Sequence, residues 1–376
     1  MRRRTVPICL IALAITLVPV AAASAAPPSE RFFGIVPQTA IAHADTAVMR
    51  VGGIGSLRTS VDWSRVEFEP GKYDWSGLDG AVEAAALERI QVLPYLYATP
   101  SRISSAPTNL PVANATQQAA WAAFLQSAVR RYGPRGTFWA EHAPGTSRPL
   151  PSVPIRSWQI WNEANFFYFA TPASPRLYAK LLESSAKAIK AVDPRAKILL
   201  AGLFGEPKGR APKAMPAAAF LNQLYARPGI KRYFDGVALH PYAAGISRME
   251  SVVSRLRKVM VAHGDRKAGL YITELGWGSQ NDPKKVAFEV GMAGQARVLR
   301  DAYSYLISNR SMLNLQAVYW FSWKDATGPT TPSPSTPALC NFCDSAGLFP
   351  AGDSFRPKPA WRAFVHIASG AIKPKS

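Results

Sequence analysis

Cysteine and acidic residues are both scarce in this chain of 376 residues. Three cysteines are present, and 24 Asp and Glu residues stand against 44 Lys and Arg, which gives a formal net charge of +20. Cys340 and Cys343 lie close together in a loop rich in proline, threonine and serine. A redox pair would normally open a helix, and no further Cys or His has the spacing that a zinc finger requires. The pair is therefore predicted to form a local disulfide, as in an exported protein.

The basic residues are scattered along the chain and form no tract of five or more. Nucleic-acid-binding segments usually concentrate Lys and Arg and interleave them with stacking aromatic residues, and neither pattern occurs here. The sequence therefore predicts no nucleic-acid partner. The positive charge is compatible with a compositional bias and also with attraction to an acidic polymer.

Long hydrophobic runs are lacking outside the N-terminus. Three arginines at positions 2–4 precede a mostly apolar segment at 8–20, and the small residues at 23–25 match the A-x-A cleavage pattern of a secretory signal. The apolar segment is shorter than the ~20 residues that a membrane span needs. We therefore predict a signal peptide at residues 1–25, a secreted protein (extracellular or associated with the cell wall) and no stable membrane anchor.

No internal repeat and no interdomain linker is visible in residues 26–376. Short runs rich in β-branched and aromatic residues alternate with segments whose apolar residues recur every three or four positions. The predicted strands are residues 32–36, 56–62, 90–97, 155–161, 197–203, 234–239, 269–273 and 315–320, and the predicted helices are 78–88, 117–131, 177–192, 217–226, 249–262 and 286–308. This alternation predicts one domain, a single parallel (β/α)8 TIM barrel.

Two glutamates, Glu163 and Glu274, follow directly on two of these predicted strands. The carboxyl ends of the strands form the active-site face of a parallel barrel, and two carboxyl groups that face each other across a sugar are what glycosidic bond cleavage requires. Apolar neighbours such as Trp158 and Trp161 would raise the pKa of Glu163, as suits an acid/base residue. We predict Glu163 as acid/base and Glu274 as nucleophile, with their carboxyl groups about 5–5.5 Å apart. A helix cap or a surface salt bridge is the alternative for each residue.

Four polar residues near the predicted strand ends are candidates for substrate binding. Arg58 lies within the second predicted strand, where a buried guanidinium needs a carboxylate partner, and Glu274 is the candidate. Asn162 could donate a hydrogen bond to a sugar hydroxyl. His240 and Tyr242 follow the sixth predicted strand and could hold Glu274 or donate to the substrate, although a lone histidine is usually an ordinary core residue.

Aromatic residues cluster just after several predicted strands. Aromatic faces stack on sugar rings, but tryptophan is also a common core residue. Among them, Trp277, Trp320 and Trp323 are predicted to bind substrate. We predict a cleft across the strand ends that is lined by Trp161, Phe166, Tyr168, Tyr242, Trp277, Trp320 and Trp323.

Several segments together form the pattern of one known group of proteins. Residues 158–165 read Trp-Gln-Ile-Trp-Asn-Glu-Ala-Asn, residues 240–242 read His-Pro-Tyr, and Thr273 precedes Glu274. The other matching parts are residues 58–63, 69–75, 131–136 and 356–361, and Trp320. On these residues the sequence resembles clan A of the retaining glycoside hydrolases, closest to families 39 and 5. One departure is Ala164, which stands where these families usually have proline.

This resemblance implies an (α/β)8 barrel with the acid/base residue on strand four and the nucleophile on strand seven. It also implies hydrolysis of the O-glycosidic bonds of a polysaccharide or oligosaccharide by double displacement, without a metal or cofactor. Two alternatives stay open, a non-catalytic carbohydrate-binding barrel and a basic protein of the cell wall. We expect a monomer.

Overall fold

The computed structural model describes residues 28–281, 287–326, 342–352 and 354–370. The strands are β1 (Phe33–Val36), β2 (Ser56–Asp62), β3 (Glu67–Glu69), β4 (Lys72–Tyr73), β5 (Gln91–Tyr97), β6 (Ser157–Ile160), β7 (Lys197–Leu199), β8 (Leu203–Phe204), β9 (Gly236–His240), β10 (Gly269–Leu275) and β11 (Leu315–Phe321). The α-helices are α1 (His43–Val51), α2 (Trp63–Val66), α3 (Ser76–Leu87), α4 (Ala115–Tyr132), α5 (Thr137–Glu141), α6 (Pro175–Val192), α7 (Ala217–Tyr225), α8 (Ile246–Ala262), α9 (Gly291–Ser308), α10 (Arg310–Leu313) and α11 (Pro359–Ala368).

Eight parallel strands close on themselves in the order β1, β2, β5, β6, β7, β9, β10 and β11. The short strand β8 also pairs with β9, and β3 and β4 form a separate antiparallel hairpin. The predicted (β/α)8 barrel is confirmed. Its fourth strand is β6 and its seventh is β10, so the two candidate glutamates lie at the same end of the barrel.

The strands are buried on both sides, which explains their nearly continuous apolar sequences. All five residues of β9 are buried, and in β10 only Tyr271 is partly exposed. One side of each strand packs inside the barrel and the other packs against the helices, an arrangement that selects Val, Ile and Leu over an alternating pattern. The predicted strands therefore match the observed ones closely, with differences of a few residues at their ends.

The predicted fifth strand, residues 197–203, is interrupted between β7 and β8. Gly202 lies in the interruption with φ of 59°, in the left-handed region that glycine adopts easily. A Cβ atom added to Gly202 would lie 2.3 Å from Nε2 of His240. Glycine at this position therefore allows the barrel wall to approach the histidine side chain closely.

Helix α6 shows how the surrounding helices hold the strand ends in place. Ser174 caps its N-terminus by accepting a hydrogen bond from the backbone N–H of Leu177, and Pro175 occupies the first turn. On its buried face, the hydroxyl of Tyr178 donates to the carbonyl of Ile160 at 2.9 Å. This bond fixes the last residue of β6, immediately before the turn that carries Glu163.

Two sequence predictions fall outside this description. The predicted signal peptide and Cys340 lie outside the described residues, so both stay predictions. Cys343 is described and is disulfide-bonded. Within the described ranges, no helix has the combination of length and apolar composition needed to cross a membrane.

Candidate active site

The turn after β6 presents the carboxyl group of Glu163 to the carboxyl end of the barrel. Trp161 and Glu163 have φ values of 71° and 40°, which cost about 1–3 kcal/mol each for residues other than glycine. Backbone hydrogen bonds hold this conformation, from Trp161 N to the Leu96 carbonyl at 2.8 Å and from Glu163 N to the Ala201 carbonyl at 2.5 Å. The turn is thus tied to the neighbouring barrel strands on both sides.

Glu274 lies near the end of β10 and both of its carboxylate oxygens are occupied. Arg58 Nη1 donates to Oε1 at 2.6 Å, and the hydroxyl of Tyr242 donates to Oε2 at 2.8 Å. Burial and the charge of Glu274 raise the pKa of Tyr242 well above its ordinary value, so its phenol keeps the proton that it donates. The carboxylate is therefore oriented by one cation and one neutral donor.

Arg58 connects the two halves of the site from within β2. Its side chain is fully buried, and it also donates from Nε to Gln159 Oε1 at 2.7 Å and from Nη2 to Asn162 Oδ1 at 2.8 Å. The guanidinium carbon lies 4.0 Å from the centre of the Tyr95 ring. A buried guanidinium is tolerated only when its charge and its donors are matched, and here they are. The predicted pairing of Arg58 with Glu274 is confirmed.

His240 lies between the two glutamates. Its Nδ1 is 2.8 Å from Glu163 Oε1 and 3.5 Å from Glu274 Oε2, and its Nε2 is 3.0 Å from Thr273 Oγ1. Burial and the charge of Arg58 lower the pKa of His240 well below its usual value, so the imidazole is neutral. This network assigns the proton to Nδ1, which donates to Glu163, while Nε2 accepts from Thr273.

The two carboxyl groups are close together. One carboxylate oxygen of Glu163, one of Glu274 and a ring nitrogen of His240 all lie within 4.8 Å of one another. Burial raises the pKa of Glu163 well above its ordinary value, the charge of Glu274 raises it further, and Arg58 opposes both effects. The site therefore places a carboxyl group whose pKa is raised beside one that is paired with a guanidinium, as acid and nucleophile require.

The same three side chains could offer three ligand atoms to a metal ion. A divalent cation bound there would lie beside the permanent charge of Arg58, whose Nη1 is 2.6 Å from Glu274 Oε1. Like charges this close repel strongly in a buried site. The residues therefore fit acid/base and nucleophilic chemistry better than metal binding.

A pocket of about 250 Å³ opens over the two carboxyl groups. Its lining includes both glutamates, Asn162 and three of the predicted cleft residues. The described lining residues are Tyr95, Asn162, Glu163, Phe166, Tyr168, Phe169, Phe204, Tyr242, Glu274, Phe288, Phe321, Phe342 and Cys343.

The tryptophans predicted to line the cleft lie instead in the core. Trp277, Trp320 and Trp323 are 0–1% exposed. The Trp277 and Trp320 indoles donate to the carbonyls of Ala243 and Ala346, and that of Trp323 donates to a carboxylate oxygen of the buried Asp45. The prediction that these three residues contact substrate is wrong, because their rings are enclosed and their polar atoms are already paired.

Trp161 is also fully buried, and its indole N–H donates to the carbonyl of Phe169 at 2.7 Å. It packs in the core beneath the turn that carries Glu163, and it does not line the pocket. The prediction placed it in the cleft with the other aromatic residues that cluster at the ends of predicted strands. Its positive φ turns its side chain away from the direction expected for a strand residue.

Sequence reasoning missed several residues of the site. Tyr95, which pairs in register with Gln159, lies beneath the Arg58 guanidinium, and Thr273 bonds His240. The position of Tyr95 could have been predicted from the sequence. Side chains alternate along β5, so Tyr95 lies on the same side of the strand as Leu93, which faces the barrel interior. The aromatic residues Phe204, Phe288 and Phe342 had no comparable signal, because they come from loops and from the short strand β8.

Comparison with solved structures identifies the fold. The chain is 21% identical to a family 39 glycoside hydrolase from Bacteroides cellulosilyticus WH2, with a TM-score of 0.65 over 91% of this chain and 64% of that one. It is 20% identical to a family 39 β-xylosidase from Caulobacter crescentus, with a TM-score of 0.63 over 92% of this chain and 73% of that one. For xylanase 10B from Thermotoga maritima the identity is 14%, the TM-score 0.60 and the coverage 90% and 95%.

The chain thus has the barrel fold that these glycoside hydrolases share, and the expected resemblance to family 39 is confirmed at the level of the fold. It spans slightly less than two thirds of the length of the Bacteroides protein. No protein-family model and no curated protein matches the sequence.

Proposed function

We propose that this protein is a secreted retaining glycoside hydrolase that cleaves O-glycosidic bonds by double displacement. The observation that carries the proposal is the pair of buried carboxyl groups of Glu163 and Glu274, which line one pocket and have one oxygen of each within 4.8 Å of the other. This separation suits a covalent intermediate, whereas inverting enzymes leave about 6.5–9.5 Å for a water molecule.

In the first step, the carboxylate of Glu274 attacks the anomeric carbon while the carboxyl group of Glu163 protonates the departing oxygen. The glycosidic C–O bond breaks, an alcohol leaves, and the sugar is held as an ester of Glu274. In the second step, Glu163 removes a proton from water, which attacks the anomeric carbon and releases Glu274. Because its pKa is raised, Glu163 can carry the proton that the first step needs. Once that proton has been transferred, the Glu163 carboxylate is the base of the second step.

The surrounding residues orient this pair. Arg58 and Tyr242 hold Glu274 in place for attack, and His240 directs its N–H to Glu163. Asn162 Oδ1 accepts a hydrogen bond from Arg58 Nη2. The side-chain amide N–H groups of Asn162 can then donate to a sugar hydroxyl. These assignments give each of the predicted polar residues a role in the reaction.

Similar structures support the proposal. Besides the β-xylosidase and the xylanase, the matches include an exo-β-1,4-mannosidase from an Opitutaceae bacterium and a glucosidase from Croceicoccus marinus, with TM-scores of 0.59 and 0.60. These enzymes are named for several different sugars, so we assign to this chain the reaction type and a carbohydrate substrate without naming the sugar.

Replacing each glutamate tests the assignment. Glu274→Ala and Glu163→Ala should each reduce turnover of ordinary glycosides by orders of magnitude. On substrates with good leaving groups, azide should rescue Glu163→Ala, because glycosylation then needs little acid and azide replaces the water that this variant cannot activate. The rescued reaction should release a glycosyl azide.

Glu206→Ala is the matched control, because Glu206 follows β8 at the same end of the barrel but pairs with Arg248 and Arg255 outside the pocket. It should retain wild-type turnover. Near-wild-type rates for either pocket variant would contradict the proposal, and sugar binding without hydrolysis by the wild type would favour the non-catalytic binding barrel.

A further inference from the structure

The pocket wall is rich in aromatic rings. Nine of its thirteen described lining residues are aromatic, and six of these are phenylalanines. The rings form a continuous series, with centres 5.4 Å apart from Phe166 to Phe204, 5.8 Å from Phe204 to Tyr242 and 5.5 Å from Tyr242 to Phe342. Phe288 extends it, with its ring stacked on Phe342 at 5.1 Å. We call these five residues the aromatic wall.

Among the described lining residues, few side chains are polar. They are the two glutamates, Asn162 and the phenols, and several are already engaged with one another, as Tyr242 is with Glu274 and Asn162 with Arg58. A buried sugar hydroxyl without a hydrogen-bond partner weakens binding. These few groups can therefore satisfy one sugar ring, whereas a second ring against the phenylalanines would leave its hydroxyls unpaired.

The aromatic wall begins next to the acid. Phe166 follows Glu163 by three residues, its backbone N–H donates to the backbone carbonyl of Glu163 at 2.9 Å, and both residues line the pocket. The group that Glu163 protonates is the leaving group, so this end of the wall lies beside the leaving group and not only beside the sugar that is retained. The pocket between the described residues has a volume of about 250 Å³, near the lower end of the ~300–1,000 Å³ of typical ligand sites.

We propose that the substrate is a glycoside with an apolar leaving group, an alkyl or aryl alcohol, and that the aromatic wall binds this aglycone. The inference rests on the proposed function and specifies its substrate class. In the reaction, the bond between the anomeric carbon and the aglycone oxygen breaks, Glu163 gives its proton to that oxygen, and the free alcohol or phenol departs. Water completes the hydrolysis of the sugar ester on Glu274.

A series of alkyl glycosides tests this proposal directly. A screen of aryl glycosides first identifies the sugar, and methyl, butyl, hexyl and octyl glycosides of that sugar are then compared. Beyond methyl, the alcohols differ little in acidity, so the rate reports burial of the chain and not leaving-group chemistry. Each fully buried CH₂ contributes about 0.8 kcal/mol, which is about fourfold, so partial burial should raise kcat/KM at least tenfold from butyl to octyl.

Two variants test whether the aromatic wall causes the dependence of kcat/KM on chain length. Phe204→Ser should flatten the dependence on chain length, because it removes a ring from the middle of the aromatic wall. Phe68→Ser is the control, since Phe68 is 62% exposed on β3 and lies outside the pocket, and it should preserve the dependence. If Phe204→Ser does not fold, the wild-type series alone decides.

The failures of the two proposals are distinguishable. Hydrolysis at a rate that does not change with chain length, or a preference of tenfold or more for a disaccharide of the same sugar, would overturn the apolar aglycone and leave the glycosidase intact. Binding of the corresponding alkyl thioglycosides is measured in parallel by calorimetry. Affinity that rises with chain length, without hydrolysis of any glycoside, would support the apolar wall and contradict the proposed function.

Discussion

At the scale of single residues, Arg58 is the side chain on which the site depends most. It donates to Glu274, Asn162 and Gln159 at once, and it is fully buried. Lysine keeps the charge but cannot reproduce the planar fork of donors that reaches three partners. The identity of this residue, and not only its charge, is therefore what the site requires.

Arg58→Lys should leave buried acceptors unpaired, at a cost of about 1–3 kcal/mol each in the free energy of unfolding. It should also lower kcat by about 100-fold, because Glu274 loses its fixed position. Urea denaturation and steady-state kinetics measure the two effects. Arg248→Lys is the comparison, since Arg248 makes a surface pair with Glu206, and it should change stability by less than about 1 kcal/mol. Equal effects of the two substitutions would contradict this account.

The pH dependence of the reaction follows from Glu163. Its protonated form is the active acid, so kcat/KM should fall as the pH rises through the pKa of this group. Burial and the charge of Glu274 raise that pKa, so the fall should occur well above the pH at which an ordinary glutamate ionises. His240 cannot produce this limb, because burial and Arg58 lower its pKa.

In Glu163→Ala, assayed with a substrate that has a good leaving group, the alkaline limb should disappear. A pH profile of kcat/KM for the wild type and this variant provides the measurement. An alkaline limb that persists unchanged in Glu163→Ala would show that another group is the acid.

At the scale of secondary-structure elements, the interruption between β7 and β8 shapes the site. Gly202→Ala would place a non-glycine residue at a φ of 59°, which costs about 1–2 kcal/mol, and its Cβ would meet the His240 ring. We expect lower stability and lower kcat together, because His240 must move away from Glu163. Thermal unfolding and kinetics test both.

Gly80→Ala is the matched control for this substitution. Gly80 lies within α3, and a Cβ there meets nothing within 4 Å. Alanine should therefore stabilise the helix by about 0.5–1 kcal/mol and leave kcat unchanged. A Gly202→Ala variant that behaves like Gly80→Ala would contradict the tight packing of His240 against the barrel wall.

The sequence predicted the secondary-structure elements better than it predicted the contacts between them. The apolar runs of the barrel strands are local signals, and both glutamates could be placed at strand ends from them. Trp277, Trp320 and Trp323 could not be assigned, because whether an indole faces the pocket or the core depends on segments far away in the sequence. Ala346, whose carbonyl accepts the Trp320 N–H, is one such distant partner.

At the scale of the whole molecule, the barrel collects residues from distant parts of the chain. Arg58, Glu163, His240 and Glu274 come from β2, the turn after β6, β9 and β10, and no local pattern specifies their mutual distances. The motif resemblance indicated which residues belong together. The closeness of the two carboxyl groups was also expected, from the geometry of a retaining mechanism. The aromatic wall, in contrast, became visible only in the folded structure.

The stereochemistry of hydrolysis tests the central claim most directly. Proton NMR follows the anomeric signal of the sugar in the first minutes of the reaction, before mutarotation mixes the two anomers. The close carboxyl pair predicts that the first product has the same anomeric configuration as the substrate, because two displacements restore it. A first product of inverted configuration would contradict the double displacement and the nucleophilic role of Glu274.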